Sequence, residues 1–113
     1  MISRELLNEV YPIDETTETY VGIQESTGRI MWFRKEYNDC ISEINIHKVA
    51  HKCKEWAIKY SGWTLQSYTN ERGSGICRIK VGDGQEINKL IASSEPEAIF
   101  KACEWIMENK CGS

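Results

Sequence analysis

The stretch from Ser94 to Lys110 constrains the fold more than any other part of the chain. Ser94 is a favoured N-cap, because its hydroxyl accepts from a free backbone N–H of the first turn. Glu97, three residues on, completes a capping box. Pro96 sits in the first turn, where its missing N–H costs nothing. Glu95 and Glu97 place negative charge at the positive end of the helix dipole. Lys110 suits the other end, and Gly112 is a stop. At about 100° per residue, Glu97, Lys101, Glu104 and Glu108 share one narrow stripe. Ala98, Ile99, Ala102, Cys103, Trp105 and Ile106 lie opposite, with Phe100 and Met107 on the shoulder. More than half the circumference is apolar, so the helix needs cover on two sides. A sheet is the first cover, and the N-terminal hairpin is the expected second.

A second long helix is predicted from Asn45, as cap, to about Tyr60, with Gly62 as its stop. Ile46, Val49, Ala50, Cys53, Trp56, Ala57 and Tyr60 form its inward face at helical spacing. His47, Lys48, His51, Lys52, Lys54, Glu55 and Lys59 face outward with Ile58. Three strands follow, over 63–70, 76–81 and 87–93, separated by turns at 71–75 and 82–85. Trp63, Leu65, Ser67, Cys77, Ile79 and Val81 point inward; Gln66, Tyr68, Arg78 and Lys80 point outward.

At the start of the chain Ser3 caps a short helix reaching about Glu9, and Tyr11-Pro12 forces an extended backbone. Residues 13–19 are an acidic loop. Residues 20–24 and 29–34 form a hairpin about Gly28, and the second strand, apolar on both faces, is expected to be covered on both. Residues 35–43 are polar and irregular. The fold class is therefore α+β. An antiparallel sheet, made of the N-terminal hairpin plus a three-stranded meander, carries two long helices on one face, in the order α-ββ-α-βββ-α. At 113 residues the chain is one domain, 1–113. Its core unit is 45–110, and the N-terminal helix and hairpin are 1–34.

The net charge of −3 conceals an asymmetry. Residues 1–43 carry four basic and nine acidic side chains, whereas residues 44–60 carry four lysines and only Glu55 as an acid. An acidic chain disfavours nucleic acid as a partner, since such binders are usually basic as a whole. No apolar run reaches membrane-spanning length, and the first residues lack the apolar core of a signal peptide. No membrane partner and a cytoplasmic location are expected. The five cysteines, Cys40, Cys53, Cys77, Cys103 and Cys111, are odd in number without CxxC spacing, which indicates neither a disulfide framework nor a zinc ribbon. Cys53 and Cys103 read as small core residues, and Cys111 as an exposed thiol.

Catalytic candidates are few. His47 and His51, at i and i+4, could face one metal, but zinc wants a third and usually a fourth ligand, and Cys40 is the nearest. Two histidines on a lysine-rich face read as solvated instead. Cys53 and His51 point apart on the helix and make no nucleophile–base pair. The acids of residues 14–18 have no apolar wall to raise a pKa. Gly73-Ser74-Gly75 and Gly82-Asp83-Gly84 read as turns, since neither begins a helix. No catalytic residue, metal or cofactor is assigned.

The order helix–strand–strand–strand–helix over 45–110, with Ala92-Ser93-Ser94 running into the last helix, resembles the double-stranded-RNA-binding domain. That family's phosphate contact needs Lys or Arg where this chain has Glu95, Pro96 and Glu97, so the resemblance implies at most a degenerate RNA- or DNA-binding domain using the basic helix 46–60. The run Glu95-Pro96-Glu97-Ala98-Ile99-Phe100-Lys101-Ala102 looks like the closing helix of small phage and prophage proteins with α/β-sandwich folds. It implies an accessory protein of phage or mobile-element origin that binds a host or phage protein, defence systems included. The expected function is thus a non-enzymatic protein-binding module, with the nucleic-acid binder as the alternative. The candidate surface is His47, Lys48, His51, Lys52, Lys54 and Lys59. Tyr20, Ile58 and Tyr68 could serve a dimer surface, so monomer and homodimer both stay open.

Overall fold

The computed structural model describes residues 1–109; the expected helix end at Lys110 and Gly112 and the thiol of Cys111 lie outside the described residues. The elements run α1 (Arg4–Val10), β1 (Thr19–Ile23), β2 (Ile30–Arg34), β3 (Cys40–Glu43), α2 (Ile46–Ser61), β4 (Thr64–Thr69), β5 (Gly75–Val81), β6 (Gln85–Ala92) and α3 (Glu95–Asn109). The fold is α+β, with two antiparallel three-stranded sheets, ordered β1-β2-β3 and β4-β5-β6.

This corrects the sequence reading twice. The hairpin and the meander are separate sheets, not one, and the order is α-βββ-α-βββ-α. The added strand is β3, inside the stretch read as irregular. It is an edge strand whose Ile41, Ser42 and Glu43 are exposed, so it carries no apolar alternation to betray it. Its turn is held locally instead. The Arg34 N–H donates to the Asp39 carbonyl at 3.0 Å, and the Asn38 N–H donates to the Arg34 carbonyl at 2.8 Å. Asn38 takes a left-handed φ of 54°, which Asn tolerates better than most residues. The Arg34 guanidinium also clamps the Asp39 carboxylate, with Nε to Oδ1 at 3.0 Å.

The helix starts follow the sequence. Ser3 accepts from the Leu6 N–H at 3.1 Å, and Asn45 accepts from the His47 N–H at 2.8 Å. Ser94 accepts from the Glu97 N–H at 3.4 Å. Gly62 ends α2 at φ 78°, the left-handed turn that glycine adopts without strain.

One cluster of buried side chains joins the elements. Leu6 and Leu7 of α1, Val49 and Cys53 of α2, Ile79 of β5, and Phe100 and Ile106 of α3 all belong to it. α3 lies across all three strands of the second sheet and also packs on α2 and α1. Its second cover is thus the two other helices rather than the hairpin, which meets α1 through β1. The fully buried Leu6 and Leu7 show why: α1 is wedged between the first sheet and α3. α2 buries Val49, Ala50, Cys53 and Ala57, but Ile46 and Tyr60, expected inward, are 40% and 36% exposed. Tyr60 instead stacks on Trp56, with ring centroids 4.7 Å apart.

Gly75, read as part of a turn, is a strand residue paired with Thr69 and Ala92. A Cβ built there would lie 2.0 Å from the Ser94 carbonyl oxygen, so only glycine lets β5 meet the start of α3. The third strand of the meander carries a register shift opposite Ile79 and Lys80, which leaves Ile87 unpaired between Glu86 and Asn88.

Candidate functional site

The Asn45 cap fixes where α2 begins, and with it the rotation of the helix. Residues four apart share a face, so His47, His51 and Glu55 form one exposed column and Lys48 and Lys52 another. Opposite this face stand the middle of β2 and the end of β3. Trp32 is in register with Ser42 and shares a sheet face with Val21. Tyr11, just past α1, closes one end. Together these residues line an open groove of about 790 Å³, floored in part by Ile44. That volume lies in the range of ordinary ligand sites, and aromatic rings beside a few polar groups are their usual lining.

Trp32 is 37% exposed. This corrects the expectation that β2 is covered on both faces: Ile30 at the start of the strand is buried, whereas Trp32 on the same face lines the groove with its indole partly exposed. Tyr11 meets Trp32 edge-on, with centroids 6.3 Å apart and planes at 82°. The Lys52 ammonium lies 5.0 Å from the centre of the Tyr11 ring, a favourable cation–π distance. Burial, then the neighbouring Cys53, pushes the Tyr11 hydroxyl pKa up, so it stays protonated and able to donate.

The acids of the groove are engaged within the chain. Glu43 lies 3.6 Å from Arg29, and the Glu55 carboxylate lies 3.0 Å from His51 Nε2. Among the described residues, neither Lys48 nor Lys52 forms an ion pair with a carboxylate.

The structure therefore divides the expected surface. His47, Lys48, His51 and Lys52 line the groove. Lys54 is half-buried and turned toward Cys77, whose thiol its charge pulls down slightly. Lys59 is exposed in the last turn of α2. Neither lines the groove. Trp32, Tyr11, Glu43 and Glu55 were not singled out by sequence. The available signal was an aromatic in a short strand flanked by polar residues, and it was read as core.

Other candidates fall elsewhere. Cys40 pairs in register with Phe33 and does not line the groove. Cys53, Cys77 and Cys103 are buried. Burial pushes the Cys77 thiol up to about 12; the Cys103 thiol donates to the Cys53 carbonyl at 3.5 Å and is raised by its hydrogen bond with the Cys53 side chain and by burial. Asp14 accepts from the Thr16 hydroxyl and N–H at 2.6 and 2.9 Å, which lowers its pKa, opposite to what a general acid needs. No group of three metal-ligating side chains occurs among the described residues. No helix among them is long and apolar enough to cross a membrane. No protein-family model, curated protein or solved structure matches the chain.

Proposed function

We propose that this chain is a non-enzymatic protein-binding module that docks its partner in the groove between α2 and the β2–β3 edge. The observation that carries this reading is Trp32, a large apolar side chain left open between two walls of polar side chains. Interface hot spots are rich in Trp and Tyr seated in such half-enclosed, polar-rimmed places. The burial of Cys53, Cys77 and Cys103 and the exposure of the His51–Glu55 pair support a binding role over catalysis. The phage-like closing helix suggests an accessory protein of phage or mobile-element type, acting on a host or phage protein.

Lys48 and Lys52 beside two aromatic rings also suit nucleic acid, through phosphate contacts and base stacking, and this is the second reading. Titration with duplex RNA, duplex DNA and single strands at low and high salt separates the two. The protein-binding reading expects no tight binding at low salt. Tight binding that weakens steeply with salt, and is lost on Lys48→Glu with Lys52→Glu, would establish the nucleic-acid reading instead.

A further inference from the structure

We infer that the groove takes an acidic segment of a partner protein, extended in form, with one apolar side chain seated against Trp32 and carboxylates directed at Lys48 and Lys52. This rests on the groove being the docking surface. Both acids of the groove already lie against partners within this chain, Glu43 3.6 Å from Arg29 and Glu55 3.0 Å from His51 Nε2. Neither lysine forms an ion pair with a carboxylate among the described residues, and Lys52 rests on the Tyr11 ring. The charge left for a ligand to answer is therefore positive. It stands next to an apolar floor of Trp32 and Ile44.

Geometry supplies the extended form. Lys48 and Lys52 are one helical turn apart, with Cβ atoms separated by about 5–6 Å. Alternate residues of an extended chain point the same way and are about 6.5–7 Å apart. A segment with acids at alternate positions thus meets both lysines at once. The opposite wall includes Ser42 and Glu43 of β3, an edge strand of the first sheet, and edge strands can pair with an extended segment.

The experiment is selection from a displayed random-peptide library on the full-length chain, with each clone then measured on Trp32→Ala and on Lys48→Glu combined with Lys52→Glu. The expected clones place Asp or Glu at alternate positions around one apolar residue. Their affinity falls about tenfold or more on either variant. Clones lost on Trp32→Ala that are neutral or basic would overturn the acidic assignment while leaving the groove as the docking surface. Clones indifferent to Trp32→Ala, or no clones at all, would overturn the groove reading itself. A random single-stranded oligonucleotide that displaces acidic clones, and whose own binding is lost on the double lysine variant, would overturn a protein occupant. All three substituted side chains are exposed. The clone compositions selected on the unaltered chain decide the acidic assignment even where Trp32→Ala unfolds.

Discussion

The backbone N–H of Ser3 donates to Oε1 of Glu104 at 2.9 Å, across the gap between α1 and α3. Glu104 belongs to the stripe that a helical wheel assigns to solvent, yet it is half-buried and holds the cap of another helix. Nearby, Glu97 receives the amino group of Met1. The charged stripe of α3 therefore anchors α1, which in turn supports the first sheet and the groove. Glu104→Ala is expected to cost about 1–2 kcal/mol in urea unfolding, since it leaves a part-buried N–H without its charged acceptor. Glu104→Gln, which keeps an acceptor, should recover much of that loss. Equal and negligible effects from both substitutions would mean that α1 is held by its leucines alone.

Gly75 should tolerate no side chain. Its Cβ would strike the Ser94 carbonyl and the Glu95 nitrogen, both backbone atoms that cannot swing away. Gly75→Ala should cost about 3 kcal/mol or prevent folding. Gly73→Ala is the control. Gly73 has open space around it but a φ of 83°, so the change should cost only about 1–2 kcal/mol. The ranking of the two by thermal unfolding checks the β5–α3 contact.

The Arg34–Asp39 clamp at the β2–β3 turn gives a pH signature. The hydrogen bond from Arg34, then its charge, holds the Asp39 carboxyl below the usual carboxylate range. A carboxyl depressed in the folded state contributes stability above its unfolded pKa and loses it as pH falls through the folded value. The turn should therefore stay intact at neutral pH and loosen only under acid conditions, below the range where ordinary aspartates titrate. Carboxyl NMR titration should show Asp39 titrating low, and returning to the ordinary range in Arg34→Ala. An unchanged Asp39 in that variant would remove the clamp from the account.

Thiol reactivity should separate the cysteines. At mildly alkaline pH a water-soluble thiol reagent should modify Cys40, which is partly exposed, and spare Cys53, Cys77 and Cys103, which are buried, Cys77 and Cys103 being also held protonated. Peptide mapping by mass spectrometry should find the buried three modified only as fast as the chain unfolds. Rapid labelling of Cys77 in the native protein would contradict its place beneath α3.

Much of this architecture is written in local chemistry. Ser3, Asn45 and Ser94 cap helices where their hydroxyl or amide places them, and Val49, Cys53 and Ala57 bury at helical spacing because the period alone selects them. Thr64–Thr69 alternates as expected, whereas in Gly75–Val81 Ile76 is buried beside Cys77, and Val81, expected inward, is only half-buried like Lys80. What stayed hidden depends on contacts distant in sequence. β3 is polar because it is an edge, so pairing to β2, not apolar burial, makes it a strand. Trp32 looked like core because nothing local distinguishes a tryptophan under a helix from one beside it. The groove needs Tyr11, Trp32 and His47 to Lys52 together, and only the packing of α1 between the first sheet and α3 brings them there.

The most direct test of the docking surface is the indole N–H signal of Trp32. Two-dimensional NMR spectra of the labelled chain are recorded while a peptide selected on that chain is added, with the indole signals assigned by Trp→Phe substitution. The account predicts that Trp32 and the amides of Lys48 and Lys52 shift together, while Trp63 and Trp105, whose ring centroids lie 6.0 Å apart and which line no part of the groove, stay in place. Shifts confined to Tyr68, Ile76 and Ile91 on the open face of the second sheet, with Trp32 unmoved, would contradict it.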